Sequence, residues 1–212
     1  MQEHHIRVQR TARYHMVGDP RSAKAIWVVV HGYGQLARFF LNSFEGLEDD
    51  LCIVAPEGLS RFYLDPEHSK VGATWMTRED RLHEIEDHVT YLDQLVAELK
   101  RSAPAGIPIN ALGFSQGVAT VARWAMKGRT KFDQLVFWAG SIPPDLDQAA
   151  LQAWRSMKVD LVLGEQDPLI KAADVKAAFQ RITSAGISVQ THAFKGGHTL
   201  DKMLLSRLMN DR

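Results

Sequence analysis

Short, nearly unbroken apolar runs alternate along the chain with longer stretches in which apolar residues recur every third or fourth position. Ala25–Val30 is an almost continuous β-branched run, the composition of a strand covered on both faces. Runs at 51–55, 107–112 (interrupted by Asn110), 134–138 and 158–163 repeat the theme, and 187–194 alternates. Between them lie helical spacings. Apolar residues at 36, 39, 40, 44 and 47 predict one helix face, and Leu82, Ile85, Val89, Leu92, Val96 and Leu99 predict the stripe of the clearest helix. Thr77, with Asp80 three residues on, reads as a capping box opening that helix. Further helices are expected at 118–127, closed by Gly128, then briefly near 147–154, at 169–184 and at 199–208. Residues 5–17 alternate loosely and break at Gly18-Asp19-Pro20, which predicts one or two edge strands, whereas 56–76 shows no period.

Strands and helices alternating after residue 25 predict an α/β fold, a mostly parallel central sheet with helices on both faces. No repeat, low-complexity tract or linker divides the chain, so 1–212 is expected to be a single domain without room for a large cap.

Charge and cysteine content narrow the partners. Lys plus Arg and Asp plus Glu are 25 each, so a basic field for nucleic acid or anionic membrane has no support. The first residues lack the apolar core of a signal peptide and no run is long enough to span a bilayer, which makes the cytoplasm the expected location and an integral membrane segment unexpected. Cys52, the single cysteine, sits in an apolar run and reads as a buried strand residue.

Chemistry concentrates at Ile109–Val118, which contains Gly113-x-Ser115-x-Gly117 between a predicted strand and a predicted helix. Strand, sharp turn and helix is the setting of a nucleophile elbow: glycines flank a turn too tight for a Cβ, and the serine is pushed out at the sheet edge. The pentapeptide alone arises easily by chance, so its partners decide. A serine hydroxyl needs a base, and the base an orienting acid. His198, in the loop after the last strand, is the preferred base; His192 lies within that strand, and His31, ending the central strand, reads as structural. Asp167, after the strand at 158–163 and before Pro168, is the preferred acid, with Glu165 as fallback and a plain turn role as the alternative. The order Ser115, Asp167, His198, each beyond a different strand, is that of an α/β-hydrolase. Oxyanion donors are expected from the backbone amides of Gln116 and, in the loop His31-Gly-Tyr-Gly34, of Tyr33.

Together, His31-Gly-x-Gly34, Gly113-Phe-Ser-Gln-Gly117, Gly164-x-x-Asp167 and Gly197-His198 resemble the phospholipase/carboxylesterase family of small α/β-hydrolases, which includes acyl-protein thioesterases and bacterial carboxylesterases. The resemblance implies a cytoplasmic serine esterase with the triad Ser115, Asp167 and His198, an oxyanion hole at Tyr33 and Gln116, a small-molecule acyl ester as substrate and no cofactor. The sequence departs from the family at Tyr33, Gln35 and Val118, so the substrate does not carry over. Leu59, Phe62, Tyr63, Leu64, Trp75 and Met76 in the aperiodic segment are candidate pocket residues, equally readable as core.

Two readings from other classes compete. Gly32-x-Gly34-x-x-Ala37 after a strand, with Glu57 about twenty residues on, outlines a dinucleotide fingerprint. A non-catalytic binding module on the same fold would retain the triad residues without using them. A zinc site is not expected: His83 and His88 are five apart, which at about 100° per residue places them on different helix faces, and both are expected to meet solvent.

Overall fold

Every residue of Ala25–Val30 and of Leu51–Pro56 is buried, as apolar runs lacking a polar face require. The computed structural model describes residues 1–210 and forms its strands at β1 (Tyr14–Val17), β2 (Ala25–Val30), β3 (Leu51–Pro56), β4 (Ser60–Tyr63) and β5 (Val71–Thr74). Four more follow: β6 (Ile109–Phe114), β7 (Gln134–Trp138), β8 (Lys158–Gly164) and β9 (Val189–Phe194). The main sheet has the order β1-β3-β2-β6-β7-β8-β9, with β1 antiparallel and all other pairs parallel. The fold is that of an α/β-hydrolase, without a large cap domain among the described residues.

Alternation along the central strands divides two cores. Ile26, Val28 and Val30 of β2 face a layer built from helices α2 (Arg81–Lys100), α3 (Gln116–Lys127), α4 (Gln148–Leu151) and α5 (Ala172–Ser184). Ala25, Trp27 and Val29 face the opposite layer, from α1 (Ala37–Leu41) and α6 (Lys202–Asn210). From β2 the chain passes to β3 on one side and returns to β6 on the other, and at such a switch the loops beyond the strand ends diverge and open a crevice. The register Val30 opposite Gly113 brings the loops after β2 and β6 side by side there.

The alternation at 5–17 gives one edge strand, β1 on β3. Three sequence expectations change. The helix from residue 36 spans five residues before a 3-10 turn at Asn42–Phe44, and Phe39 of its predicted stripe stays exposed, with the Arg38 guanidinium 4.3 Å from its ring centre. The aperiodic segment contains the hairpin β4–β5, whose four-residue strands are too short to display a period. The capping box does not form: Asp80 precedes α2 in the left-handed region (φ 48°) with no side-chain cap, its carboxylate hydrogen-bonded to the His83 ring, while Thr77 donates to Glu84. Leu82, in the first turn of α2, is consequently exposed.

Candidate active site

Ser115 caps β6 in a conformation (φ 54°, ψ −116°) that L-residues avoid, and its neighbours show why the chain accepts it. A Cβ on Gly113 would lie 2.4 Å from the carbonyl oxygen of Gly117, and one on Gly117 would lie 2.2 Å from that of Val30. The elbow is therefore folded against its own next turn and against β2, with its amide tied to the Trp138 carbonyl at 2.9 Å. This leaves the hydroxyl, partly exposed, at the mouth of the crevice.

His198 meets that hydroxyl. Its Nε2 lies 2.9 Å from Ser115 Oγ, and its Nδ1 lies 2.8 Å from Asp167 Oδ2. The loop that carries it is pinned by Trp138 Nε1 donating to the Thr199 carbonyl at 2.9 Å, and its ring packs on Phe114 with centroids 5.0 Å apart. Asp167 serves two masters with two oxygens. Oδ1 accepts the amides of Leu169 (2.8 Å) and Ile170 (3.0 Å), the turn geometry expected after an Asp-Pro pair, and leaves Oδ2 for the imidazole. Burial pushes the carboxyl upward, but the His198 bond and the two amides outweigh it and hold the pKa below the usual carboxylate value. A Cβ on Gly164 would lie 2.4 Å from the Gly197 carbonyl oxygen, so the turns bearing acid and base are packed backbone to backbone.

The loop after β2 is held by the hairpin that the sequence left aperiodic. The Gly34 amide donates to the Ala73 carbonyl (2.9 Å), the Ala73 amide to the Gln35 carbonyl (3.2 Å), and a Cβ on Gly72 would lie 2.5 Å from the Gly34 carbonyl oxygen. Gln35 turns its Oε1 back to accept the Gly32 amide at 2.8 Å. The amides of residues 32 and 35 are thus spent inside the loop and that of Gly34 on the hairpin, while that of Tyr33 has no hydrogen bond among the described residues. Gln116 opens α3, where the first amides have no preceding helical carbonyl to reach.

His31 is structural. Its ring is buried, with Nδ1 2.7 Å from the Gly32 carbonyl and Nε2 accepting the Gly58 amide at 3.0 Å, and burial lowers its pKa. His192 pairs instead with the fully buried Asp160 at 2.8 Å, a carboxylate that also accepts Gln134. Glu165, the fallback acid, is exposed and engages the sheet only through its backbone, while Asp167 holds the imidazole.

The dinucleotide outline loses its acid. Glu57 is 1% exposed, accepts both Arg13 (2.6 Å) and Arg61 (3.2 Å), and also receives the Ala37 amide that opens α1, so this carboxylate is not free for a ribose. His83 and His88 do fall on different faces, but His88 is buried rather than solvent-facing, edge-on to Trp75. The exposed His83 ring instead joins His5 and Asp80, whose ligand-type atoms lie within 4.8 Å of one another.

The pocket expectation also changes. A cavity of about 530 Å³ opens between α1 and the hairpin, and none of Phe62, Tyr63, Trp75 and Met76 lines it. Phe62 packs on Tyr33 outside, Tyr63 stacks on His68, Trp75 is buried with its indole donating to the His31 carbonyl, and the Met76 carbonyl accepts the Gln116 side chain. Leu64, a candidate from the same segment, does line the cavity, together with Val71 at the start of β5. None of Ser115, Asp167 and His198 lines the cavity; Phe40, on its wall, packs on Phe114, whose ring in turn packs on His198.

A family model described as "Serine hydrolase (FSH1)" matches residues 22–202. No curated protein matches the chain in sequence. Among solved structures, esterase PE8 shares 22% identity with a TM-score of 0.72, over 95% of this chain and 99% of its own. Zea mays acyl-protein thioesterase 2 shares 18%, also at 0.72, over 94% and 98%. A carboxylesterase from Mesorhizobium loti shares 15%, at 0.72, over 95% of each. At such identities the likeness is one of fold. No helix among the described residues is long and apolar enough to cross a membrane.

Proposed function

The chain belongs to the FSH1 serine hydrolase family, and from that premise we propose that it hydrolyses carboxylic esters, oxygen esters or thioesters of small molecules, through an acyl-enzyme. Ser115 is the nucleophile, His198 the base and then the acid, and Asp167 the group that fixes the imidazole. The observation that supports this reading is the unbroken hydrogen-bonded line from Asp167 Oδ2 through His198 to Ser115 Oγ.

Ser115 Oγ attacks the acyl carbon as its proton passes to His198 Nε2. Asp167, a carboxylate whose pKa stays below the usual value despite burial and which is therefore ionised at neutral pH, stabilises the imidazolium and keeps Nδ1 protonated in the resting state. The tetrahedral oxyanion is met by the amides of Tyr33 and Gln116, the latter at the positive end of the twelve-residue α3. Nε2 then gives its proton to the leaving alcohol or thiol, the acyl–heteroatom bond breaks, and water repeats the sequence to release the acid.

Ser115→Ala, with its fold verified by circular dichroism, tests the proposal against p-nitrophenyl acetate. A fall in kcat of about six orders of magnitude is expected, by analogy with removal of a serine nucleophile elsewhere. Retained turnover by a folded Ser115→Ala protein refutes the assignment.

A further inference from the structure

The cavity between α1 and the hairpin is apolar along its walls, where Leu36, Phe40, Leu64 and Val71 supply side chains, but it carries charge of one sign only. Arg38, from α1, and Lys70, from the hairpin, are the charged residues that line it. The pair is not a by-product of a basic protein, because cations and anions balance at 25 each over the whole chain. Neither cation is neutralised. Among the described residues Arg38 makes no ion pair and rests its guanidinium 4.3 Å over the Phe39 ring, and Lys70 makes none either. Of the two carboxylates just before Lys70 in the chain, Glu67 is exposed and makes no ion pair among the described residues, and Asp65 is committed to the hairpin turn, where it accepts the amides of Ser69 and Lys70, both at 2.9 Å, and the Ser69 hydroxyl. An unpaired guanidinium and an unpaired ammonium reaching the same apolar cavity from its two walls form a receptor for an anion attached to a hydrocarbon stem.

We propose that the enzyme's substrates are esters of dicarboxylic acids esterified at one end, the hydrocarbon stem lying along the apolar wall and the free carboxylate meeting Arg38 and Lys70. This rests on the hydrolase reading of Ser115, Asp167 and His198. The reaction adds water across the ester: the acyl–oxygen bond breaks, the alcohol leaves with a proton, and the product is a dicarboxylate. The free carboxylate takes no part in the bond changes; it positions the acyl group through two charge-assisted contacts.

Ethyl hydrogen adipate and ethyl hexanoate share the acyl length and differ in the terminal carboxylate, and acid release from both is followed by pH-stat. The wild-type protein is expected to show a kcat/KM about tenfold or more in favour of the adipate ester, expressed mainly in KM, since a charge-assisted hydrogen bond is worth roughly that factor or more. Raising the ionic strength is expected to reduce the preference. In Arg38→Gln/Lys70→Gln, both exposed positions whose replacement leaves the core intact, the ratio is expected to fall to about one. Equal kcat/KM for the two esters in the wild type, or a preference that survives in the double variant, overturns the proposal. If the wild type hydrolyses neither these esters nor p-nitrophenyl acetate, it is the hydrolase reading that fails, and the substrate proposal falls with it.

Discussion

The side-chain amide of Gln116 holds the hydroxyl of Thr74 at 2.8 Å, so the residue after Ser115 also clasps the end of the β4–β5 hairpin. Its Oε1 accepts the Trp75 amide at 3.2 Å and its Nε2 donates to the Met76 carbonyl at 3.0 Å. The hairpin in turn holds the loop of Tyr33 through Ala73, which makes the two proposed oxyanion donors parts of one hydrogen-bonded unit.

Gln116→Ala keeps the backbone amide and removes the clasp. Loss of these partly buried bonds is expected to lower stability by about 1–3 kcal/mol, measured by urea denaturation. Because the loosened hairpin forms one wall of the cavity, KM for p-nitrophenyl esters is expected to rise more than kcat falls. A fall in kcat of several orders of magnitude with KM unchanged speaks against a positioning role for this side chain.

Asp167→Asn isolates the orienting carboxylate. An asparagine retains an oxygen for the Leu169 and Ile170 amides, so the turn is kept, but it presents an N–H to His198 Nδ1 and favours the tautomer in which Nε2 carries the proton and cannot take another from Ser115. A loss of about 10⁴ in kcat with little change in stability is expected, read from ester hydrolysis and thermal denaturation together. A folded Asp167→Asn protein with near wild-type kcat removes Asp167 from the triad.

The site was legible in the sequence wherever tight turns demanded glycine and strands ended in polar residues. Gly113 and Gly117 frame the elbow because a Cβ on either would lie 2.2–2.4 Å from a backbone carbonyl oxygen, and Asp167 and His198 follow their strands within a few positions. The hairpin was not legible. Its strands are four residues long, and its pairing depends on contacts with residues 34 and 35 that no local period records. The cavity wall was legible only in part: Leu64 of the aperiodic segment lines it, but large aromatic side chains mark apolar surface without saying which way it faces, and Trp75 spends its ring beside His31. His88 escaped because helical spacing separates it from His83 without saying which of the two faces the core.

Gly117→Ala tests whether the elbow is as tightly built as its geometry. The added methyl would lie 2.2 Å from the Val30 carbonyl oxygen and 2.9 Å from that of His31, both backbone atoms of the central strand and its loop. Neither atom can swing away as a side-chain end would. The variant is expected to lose about 3 kcal/mol or more in denaturant unfolding, at the upper end for overpacking, and to lose activity through displacement of the adjacent nucleophile. Wild-type stability in this variant would mean that β2 and α3 can separate without penalty.

His88 gives the protein a stability term that depends on pH. The ring is 1% exposed; its Nε2 has no partner among the described residues, and its Nδ1 lies 3.4 Å from the Trp75 carbonyl. Burial is the main cause that pushes its pKa down from 6.5 to about 4, with the nearby Arg123 charge adding to it. In the unfolded chain the imidazole takes a proton near pH 6.5, but in the fold it does so only near pH 4, so across that window the unfolded state holds more protons and acid favours unfolding. The contribution is fully present above pH 6.5 and fades as pH falls toward 4, by an amount on the order of 3 kcal/mol. Carboxylates also titrate toward the lower end of this range, so the informative quantity is the difference from His88→Leu, which replaces the ring by an apolar group and removes the titration. Urea unfolding at pH 7, 6, 5 and 4 is expected to show wild-type stability falling relative to the variant at each step below 6.5. Parallel curves for the two proteins across that range would mean that His88 is protonated inside the fold, with its charge met by a partner.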